Sequence, residues 1–263
     1  MKELLFSLIA ASALAGLALW KKALTPAGLL LAWALAVVIA FCGGVTGFLA
    51  LAATFVFTIL AGKLSGRVGK EIGAKLHSKA GRRDAVQIVC NVLVGALMLL
   101  LRALTRRDAF LWAYGGAMAT SLADSMASEL GVLSKRPPRD VLTLRPVQAG
   151  LSGGVTLLGL GCSLLGAAII AAICAAGFSG SWPLFAAVSV SGFVAALCDS
   201  VLGSALQAKY RCPVCGMLTE KSLHCGAPGK VERGCRFVSN DGVNLANNVL
   251  GALCALGLYL ILR

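Results

Sequence analysis

Charge is scarce in this chain. Asp, Glu, Lys and Arg make up 13% of its 263 residues, about half the share found in soluble domains. Aromatic residues reach only 6%, and histidine occurs twice. No Ser/Gly linker or long polar tail breaks the text. A soluble globular fold is thereby excluded, and no second soluble domain is expected. The chain also lacks a Walker A sequence and a kinase Gly-rich loop with its Lys and Asp partners, so neither familiar nucleotide fold is expected. What remains is apolar: 58% hydrophobic residues, 31 glycines and a mean hydropathy of +0.86. Because a membrane-spanning helix needs about 20 residues, the expected architecture is all-α, a single polytopic membrane domain.

About eight spans are expected, near 4–20, 27–42, 44–62, 86–104, 108–131, 151–177, 184–207 and 240–262. An outside amino terminus makes 21–26, 63–85, 132–150 and 208–239 cytoplasmic, and these four segments hold 19 of the 24 Lys and Arg residues. The positive-inside rule favours that orientation, with both termini outside the inner membrane. Arg102, Arg106 and Arg107 dissent. Residues 1–20 are expected to remain as a span, since Glu3 offsets Lys2 and the stronger positive flank, Lys21-Lys22, follows the apolar run.

Ionisable groups inside spans are expensive and mark sites or buried pairs. Here they gather at one membrane face. The fifth span carries Thr120, Ser121, Asp124 and Ser128 on one helical face, with Glu129 beside them. The seventh carries Asp199-Ser200 in its cytoplasmic third. The eighth begins with Asn240, Asp241 and Asn244, and the fourth with Gln87 and Asn91. Single Ser, Asn or Gly residues read as ordinary helix–helix glue. Three aspartates at one depth repel one another, and a divalent cation relieves this; oxygen ligands suit Mg²⁺ bound together with phosphates.

Among the loops, 63–79 reads as a basic amphipathic helix: Leu64, Val68, Ile72 and Leu76 recur every four residues between Lys63, Arg67, Lys70, Lys75 and Lys79. It is expected on the anionic leaflet, so membrane lipids and not nucleic acid are its partners. Lone His77 reads as solvated. Gly81-Arg82-Arg83 closes this loop, and Arg145 lies in the next; arginine suits bidentate phosphate recognition. Gly150-Leu-Ser152-Gly153-Gly154 is expected to open the sixth span and offer backbone N–H groups to phosphate.

Six of the ten cysteines lie in spans and read as small apolar residues. The others cluster. Cys212-Pro-Val-Cys215-Gly216 has the spelling of a structural zinc knuckle, with Cys225 as third ligand and either His224 or Cys235 as fourth. Adjacent His and Cys rarely share one ion, which leaves the fourth ligand open. A reducing cytoplasm argues against disulfides.

Gly81-Arg82-Arg83 with Gln87 and Asn91, TSLADSMASELG (120–131), Pro138-Arg139, GLSGGVTLLG (150–159), CDSVLGSALQAKY (198–210), CPVCG (212–216), HCG (224–226) and NDGVNLANN (240–248) together resemble the phytyl-phosphate kinase family of integral membrane proteins. The likeness covers roughly residues 40–260. It departs at Ser125-Met126 and Leu151-Ser152, where the family commonly has Thr-Trp and a Thr-Asn/Ser pair. The resemblance implies phosphorylation of an isoprenyl monophosphate to the diphosphate by a nucleoside triphosphate, CTP by analogy with related phytol and dolichol kinases. In that scheme Asp124, Asp199 and Asp241, with Glu129, hold Mg²⁺ on the triphosphate, and Arg82, Arg83 and Arg145 offset phosphate charge. Gln87, Asn91, Ser128, Ser152, Gly153, Gly154, Ser200, Asn240 and Asn244 would contact substrate. The same residues also admit a cytidylyltransferase acting on a lipid phosphate or a small-solute or cation transporter.

Overall fold

The structure, a computed structural model, describes residues 2–76, 82–179 and 181–262. His77, Lys79 and Gly81 lie outside the described residues, as do the side chains of Lys75 and Leu76. The helices are α1 (Lys2–Trp20), α2 (Pro26–Leu76), α3 (Ala85–Ile88), α4 (Val94–Thr105), α5 (Ala109–Gly131), α6 (Leu157–Cys174), α7 (Trp182–Ala205) and α8 (Asn240–Leu262). A π-turn at Val89–Leu93 joins α3 and α4 into one rod.

α2 is not straight. Gly44 (φ 60°, ψ −155°) and Gly66 (φ 59°, ψ −132°) adopt backbone angles that other residues resist. Leu24, just before the first piece, and Gly62, near the end of the second, line the same cavity, so the chain doubles back at Gly44. The second and third expected spans are therefore the two arms of this hairpin. Gly66 starts the short basic piece at 67–76, where Arg67 pairs with Glu71 at 2.9 Å. Leu64 and Val68 are exposed.

Among the described residues, six stretches are long and apolar enough to cross a membrane. This differs from the expected eight in two ways. The α2 hairpin is one 47-residue stretch, and α5 is absent from the set because Thr120, Ser121, Asp124, Ser125, Ser128 and Glu129 dilute its apolar content. α5 is instead the hub: it packs against α2, α4, α6, α7 and α8, and Ala109 and Leu111–Ala123 are all buried. Tyr114 donates its hydroxyl hydrogen to the Gly47 carbonyl in α2. With hydrocarbon on both sides of the packing equilibrium, close approach and interhelical hydrogen bonds replace the hydrophobic effect as the organising terms. A Cβ placed on Gly116 would lie 2.3 Å from the Gly251 carbonyl oxygen of α8. Gly116→Ala is expected to force α5 and α8 apart and cost about 1–3 kcal/mol, read as a lower melting temperature in detergent; an unchanged one would show that the crossing has slack.

The sixth helix starts later than expected, at Leu157 instead of near 151. Thr156 caps it by accepting the Gly159 N–H at 3.0 Å. Residues 150–155 stay out of the helix: Gly150 (φ 86°) and Gly153 (φ 87°) turn the chain, the Gly154 N–H closes a turn onto the Leu151 carbonyl, and β2 (Gly154–Val155) pairs antiparallel with β1 (Arg139–Asp140). Between α7 and α8 the chain forms a small sheet, β3 (Lys209–Arg211) flanked by β4 (Leu218–Thr219) and β7 (Lys230–Arg233). Beside it stands the hairpin of β5 (Leu223–His224) and β6 (Ala227–Pro228).

Candidate functional site

The link between α1 and α2, the outer part of the second arm of the α2 hairpin, the start of α3, the end of α5, the start of α6, the end of α7 and the start of α8 surround one cavity of about 1070 Å³. Asp124, Glu129, Asp199, Asp241, Arg83, Gln87, Asn91, Ser128, Ser152, Gly153, Gly154, Ser200, Asn240 and Asn244 all line it. The polar residues expected at one membrane face are thus brought into a single space. Arg82 and Arg145 are exposed and outside that lining. Arg82 precedes the short contact between Leu24 and Arg83 that turns only the latter inward. Arg145 sits in the β1 turn, where its carbonyl accepts the Asp140 N–H at 2.9 Å. The Arg102–Arg107 cluster belongs to the opposite turn: Arg106 is the left-handed end of α4, and Arg102 meets Asp108 at 3.6 Å.

Local structure explains the placements. Asp84 and Gln87 form a reciprocal capping box at α3: the Gln87 N–H donates to Asp84 at 2.9 Å and the Asp84 N–H to Gln87 Oε1 at 3.1 Å. This fixes Arg83 at the rim. Burial pulls its guanidinium pKa down, while Glu129 and Asp124 oppose that shift. Glu129 accepts a 3.1 Å hydrogen bond from Ser65, tying α5 to the end of the α2 hairpin. Asp199 of α7 accepts a short hydrogen bond from Asn247 of α8 and lies in the fields of Asp124 and Glu220. Ser121 Oγ is 2.7 Å from the Asn91 carbonyl in the π-turn and 2.8 Å from Asn248 Oδ1. Its one proton serves one of them at a time.

The Gly-rich segment does not open a helix. The Ser152 N–H and O–H both donate to Glu220 Oε1, and the Gly154 N–H donates to the Leu151 carbonyl at 3.0 Å. Those donors are spoken for by the protein. Asp140, in the β1 turn, is 2% exposed. Burial alone would raise its pKa, but hydrogen bonds from Ser204, from the Thr143 N–H and O–H and from the Leu142 N–H bring it to about 2. Lys209, 1% exposed, is pulled down by burial and held up by Asp140 and Glu220.

Sequence reasoning missed Glu220, which sits in the cysteine loop away from any span, and Asp140, masked by the basic residues around it. It assigned Lys63 and Lys70 to the leaflet and Lys21 to a topogenic flank, yet all three line the cavity. Their basic character was visible; their direction was not.

In the cysteine loop, the ligand atoms of Cys212, Cys215, His224 and Cys225 lie within 4.8 Å of one another. A tetrahedral zinc with bonds of about 2.0–2.3 Å places its ligands roughly 3.5–3.8 Å apart. His224 Nδ1 is 3.5 Å from Cys215 Sγ and 3.2 Å from Cys225 Sγ. The set fits a metal such as zinc, with His224 and not Cys235 as fourth ligand. Cys235 is exposed and follows a separate path, its N–H donating to Leu206. The neighbours His224 and Cys225 can share an ion because Cys225 has φ 51° and Gly226 φ 75°, the pair of left-handed residues of a tight hairpin turn that swings Cys225 back over β5. Gly216 (φ 70°) does the same for the first knuckle. The backbone N–H of Cys215, against the opposing effect of burial and with help from His224 and the Val214 N–H, lowers the Cys212 pKa to about 6, the thiolate form that binds metal. Among the described residues no set of acidic side chains converges in this way, so the acids of the cavity are not a preformed cage.

Comparison with known proteins agrees with this architecture. The chain is 27% identical over 250 residues to Protein PGR of Arabidopsis thaliana, covering 79% of this chain and 84% of that one. It is 29% identical over 244 residues to an uncharacterized membrane protein of Synechocystis sp., covering 90% and 83%. A third relative, an uncharacterized membrane protein of Methanocaldococcus jannaschii, is 32% identical over 173 residues, covering 64% and 68%. No solved structure matches. Residues 9–252 match the family described as integral membrane protein DUF92, and the chain belongs to that family.

Proposed function

We propose that this protein is a membrane phosphotransferase that moves a phosphoryl group from a nucleoside triphosphate, CTP on the resemblance described above, to an isoprenyl monophosphate. The observation that carries the reading is a junction of two spaces. The polar cavity, with Asp124, Asp199 and Asp241 among its acids and Lys21, Lys63, Lys70 and Arg83 among its bases, meets an apolar pocket of about 70 Å³ lined by α1, α2 and α3. Arg83, Gln87 and Asn91 border both. Such a junction suits a phosphate head together with the first carbons of a hydrocarbon tail.

In the proposed step an oxygen of the acceptor monophosphate attacks the γ-phosphorus, the bond from that phosphorus to the β-bridging oxygen breaks, and the nucleoside diphosphate leaves. The acceptor oxygen is already anionic, so no strong general base is needed, consistent with a lining that holds no histidine among the described residues. Catalysis is then positioning and charge neutralisation. Arg83 and the cavity lysines offset phosphate charge, and Asp124, Asp199 and Asp241 would hold the Mg²⁺ that accompanies the triphosphate. Mg²⁺ is commonly bound by one or two carboxylates plus phosphates, so the lack of a converged acidic cage is compatible with this role. The basic balance of the loops around the cavity favours a cytoplasmic opening.

The test is a transfer assay on purified protein with Mg²⁺, supplying CTP, ATP, GTP or UTP with isoprenyl alcohols and monophosphates of several lengths. The expected product is a lipid diphosphate in equal amount to a nucleoside diphosphate. Release of pyrophosphate would make the protein a nucleotidyltransferase. No nucleotide consumption by folded protein would overturn the reading and turn attention to reconstituted flux.

A further inference from the structure

We infer that Glu220 is a positioning residue of the cavity and that the metal held by Cys212, Cys215, His224 and Cys225 determines where Glu220 stands. The inference takes the cavity to be the working site, as proposed above. Glu220 follows β4, five residues after Cys215 and four before His224, so it is anchored on both sides by metal ligands. It is 8% exposed and reaches out of the knuckle to line the cavity. There its Oε1 accepts the Ser152 N–H at 3.0 Å and the Ser152 hydroxyl.

Ser152 belongs to the strap Gly150–Gly154, every residue of which lines the cavity. The strap is fixed from two directions. On the helix side it lies flush on α7: a Cβ on Gly153 would stand 2.5 Å from the Ser204 Cβ, and Ser204 donates at 2.6 Å to Asp140, beside the strand pair that includes Gly154. On the knuckle side its side-chain attachment is Glu220. Only the second attachment depends on the metal cluster. Loss of the metal is therefore transmitted to the cavity wall through one carboxylate, although no metal ligand touches the cavity. Two hydrogen bonds to a charged acceptor are strong enough for their loss to be measurable as local opening.

Hydrogen–deuterium exchange on the full-length protein in detergent tests this. Segment 150–156 is followed in five samples: zinc-loaded and zinc-stripped wild type, zinc-loaded Glu220→Ala, and Glu220→Gln both zinc-loaded and zinc-stripped, with α5 as the control for global folding. Zinc stripping and Glu220→Ala are each expected to speed exchange of 150–156 about tenfold. Glu220→Gln keeps an oxygen that accepts both Ser152 donors, so it should restore most of the protection while zinc is present and lose it when zinc is stripped. The inference is overturned if stripping speeds exchange of 209–233 alone, or if Glu220→Gln exchanges as fast as Glu220→Ala. In the transfer assay, Glu220→Ala should raise the nucleotide KM more than it lowers kcat, and the reverse pattern would also count against positioning. The exchange comparison requires no turnover, so failure of the kinase reading and failure of this one are separately visible.

Discussion

Asp124→Asn and Asp199→Asn are each expected to lower turnover at least about a hundredfold while leaving the protein as stable as the wild type or more so. Both side chains line the cavity from α5 and α7; Asp199 lies in the repulsive field of Asp124, and Asp124 in the attractive field of Arg83. A carboxylate kept next to another in a low-dielectric setting weakens the folded state unless a cation arrives. The amide has the same shape and can still accept from Asn247 at position 199. Packing is therefore preserved, repulsion falls, and the charge needed by the cation is lost. A structural carboxylate would behave oppositely, since its removal would lower the melting temperature without a specific effect on turnover. Melting curves in detergent, taken with and without Mg²⁺ and nucleotide, separate the two cases. Wild-type rates in both variants would remove Asp124 and Asp199 from the catalytic set, and the nucleotide-dependent rise in melting temperature should vanish in both if the assignment holds.

How much of this was legible in the sequence depends on the range of the interaction involved. Polar residues at three- and four-residue spacing on α5, and polar helix starts at Gln87 and Asn240, were legible as a group that the fold brings to one cavity, because helical periodicity and span direction are local properties. The break near residue 43 was legible for the same reason, and Gly44 supplies its physical cause. The start of α6 was misjudged by six residues. A run of glycines next to apolar residues permits both helix entry and a turned strap, and the choice is made by distant partners: Asp140 through β1, Ser204 beneath Gly153, and Glu220 above Ser152.

The cationic rim shows the same limit from another side. Lys63 and Lys70 flank Leu64 and Val68 in sequence, and four-residue spacing separates two faces without saying what each face meets. Here Leu64 and Val68 are exposed while Lys63 and Lys70, together with Ile72, line the cavity, a surface that exists only once α2 has folded back at Gly44. Likewise the fourth metal ligand was undecidable from spacing. Neighbouring residues in an extended chain point to opposite faces, and only the left-handed turn at Cys225-Gly226 brings His224 and Cys225 to one ion.

That turn makes the metal cluster the place where a small chemical change should have a large structural effect. Purified protein is expected to carry about one zinc per chain, and Cys212→Ser is expected to carry almost none. Cys212 is the buried member of the set, 1% exposed, and its N–H and carbonyl already tie the knuckle through Met217 and Gly216; a serine keeps those backbone bonds and removes only the thiolate. The three-stranded sheet is too small to hold itself together, with strands of two to four residues and few buried side chains. In comparable modules the metal supplies on the order of 10 kcal/mol of folding free energy. Its loss should therefore release residues 209–233 as a unit, seen as proteolytic cleavage within that segment. The helical bundle should keep its circular dichroism, because α5 and its neighbours pack without the knuckle. Cys235→Ser, which alters a thiol outside the cluster, should retain full zinc and resist cleavage as the wild type does. If wild type and Cys212→Ser contain the same zinc, or if Cys235→Ser loses it, the ligand set is wrong; if Cys212→Ser melts the bundle as well, the knuckle is part of the core and not an attachment to it.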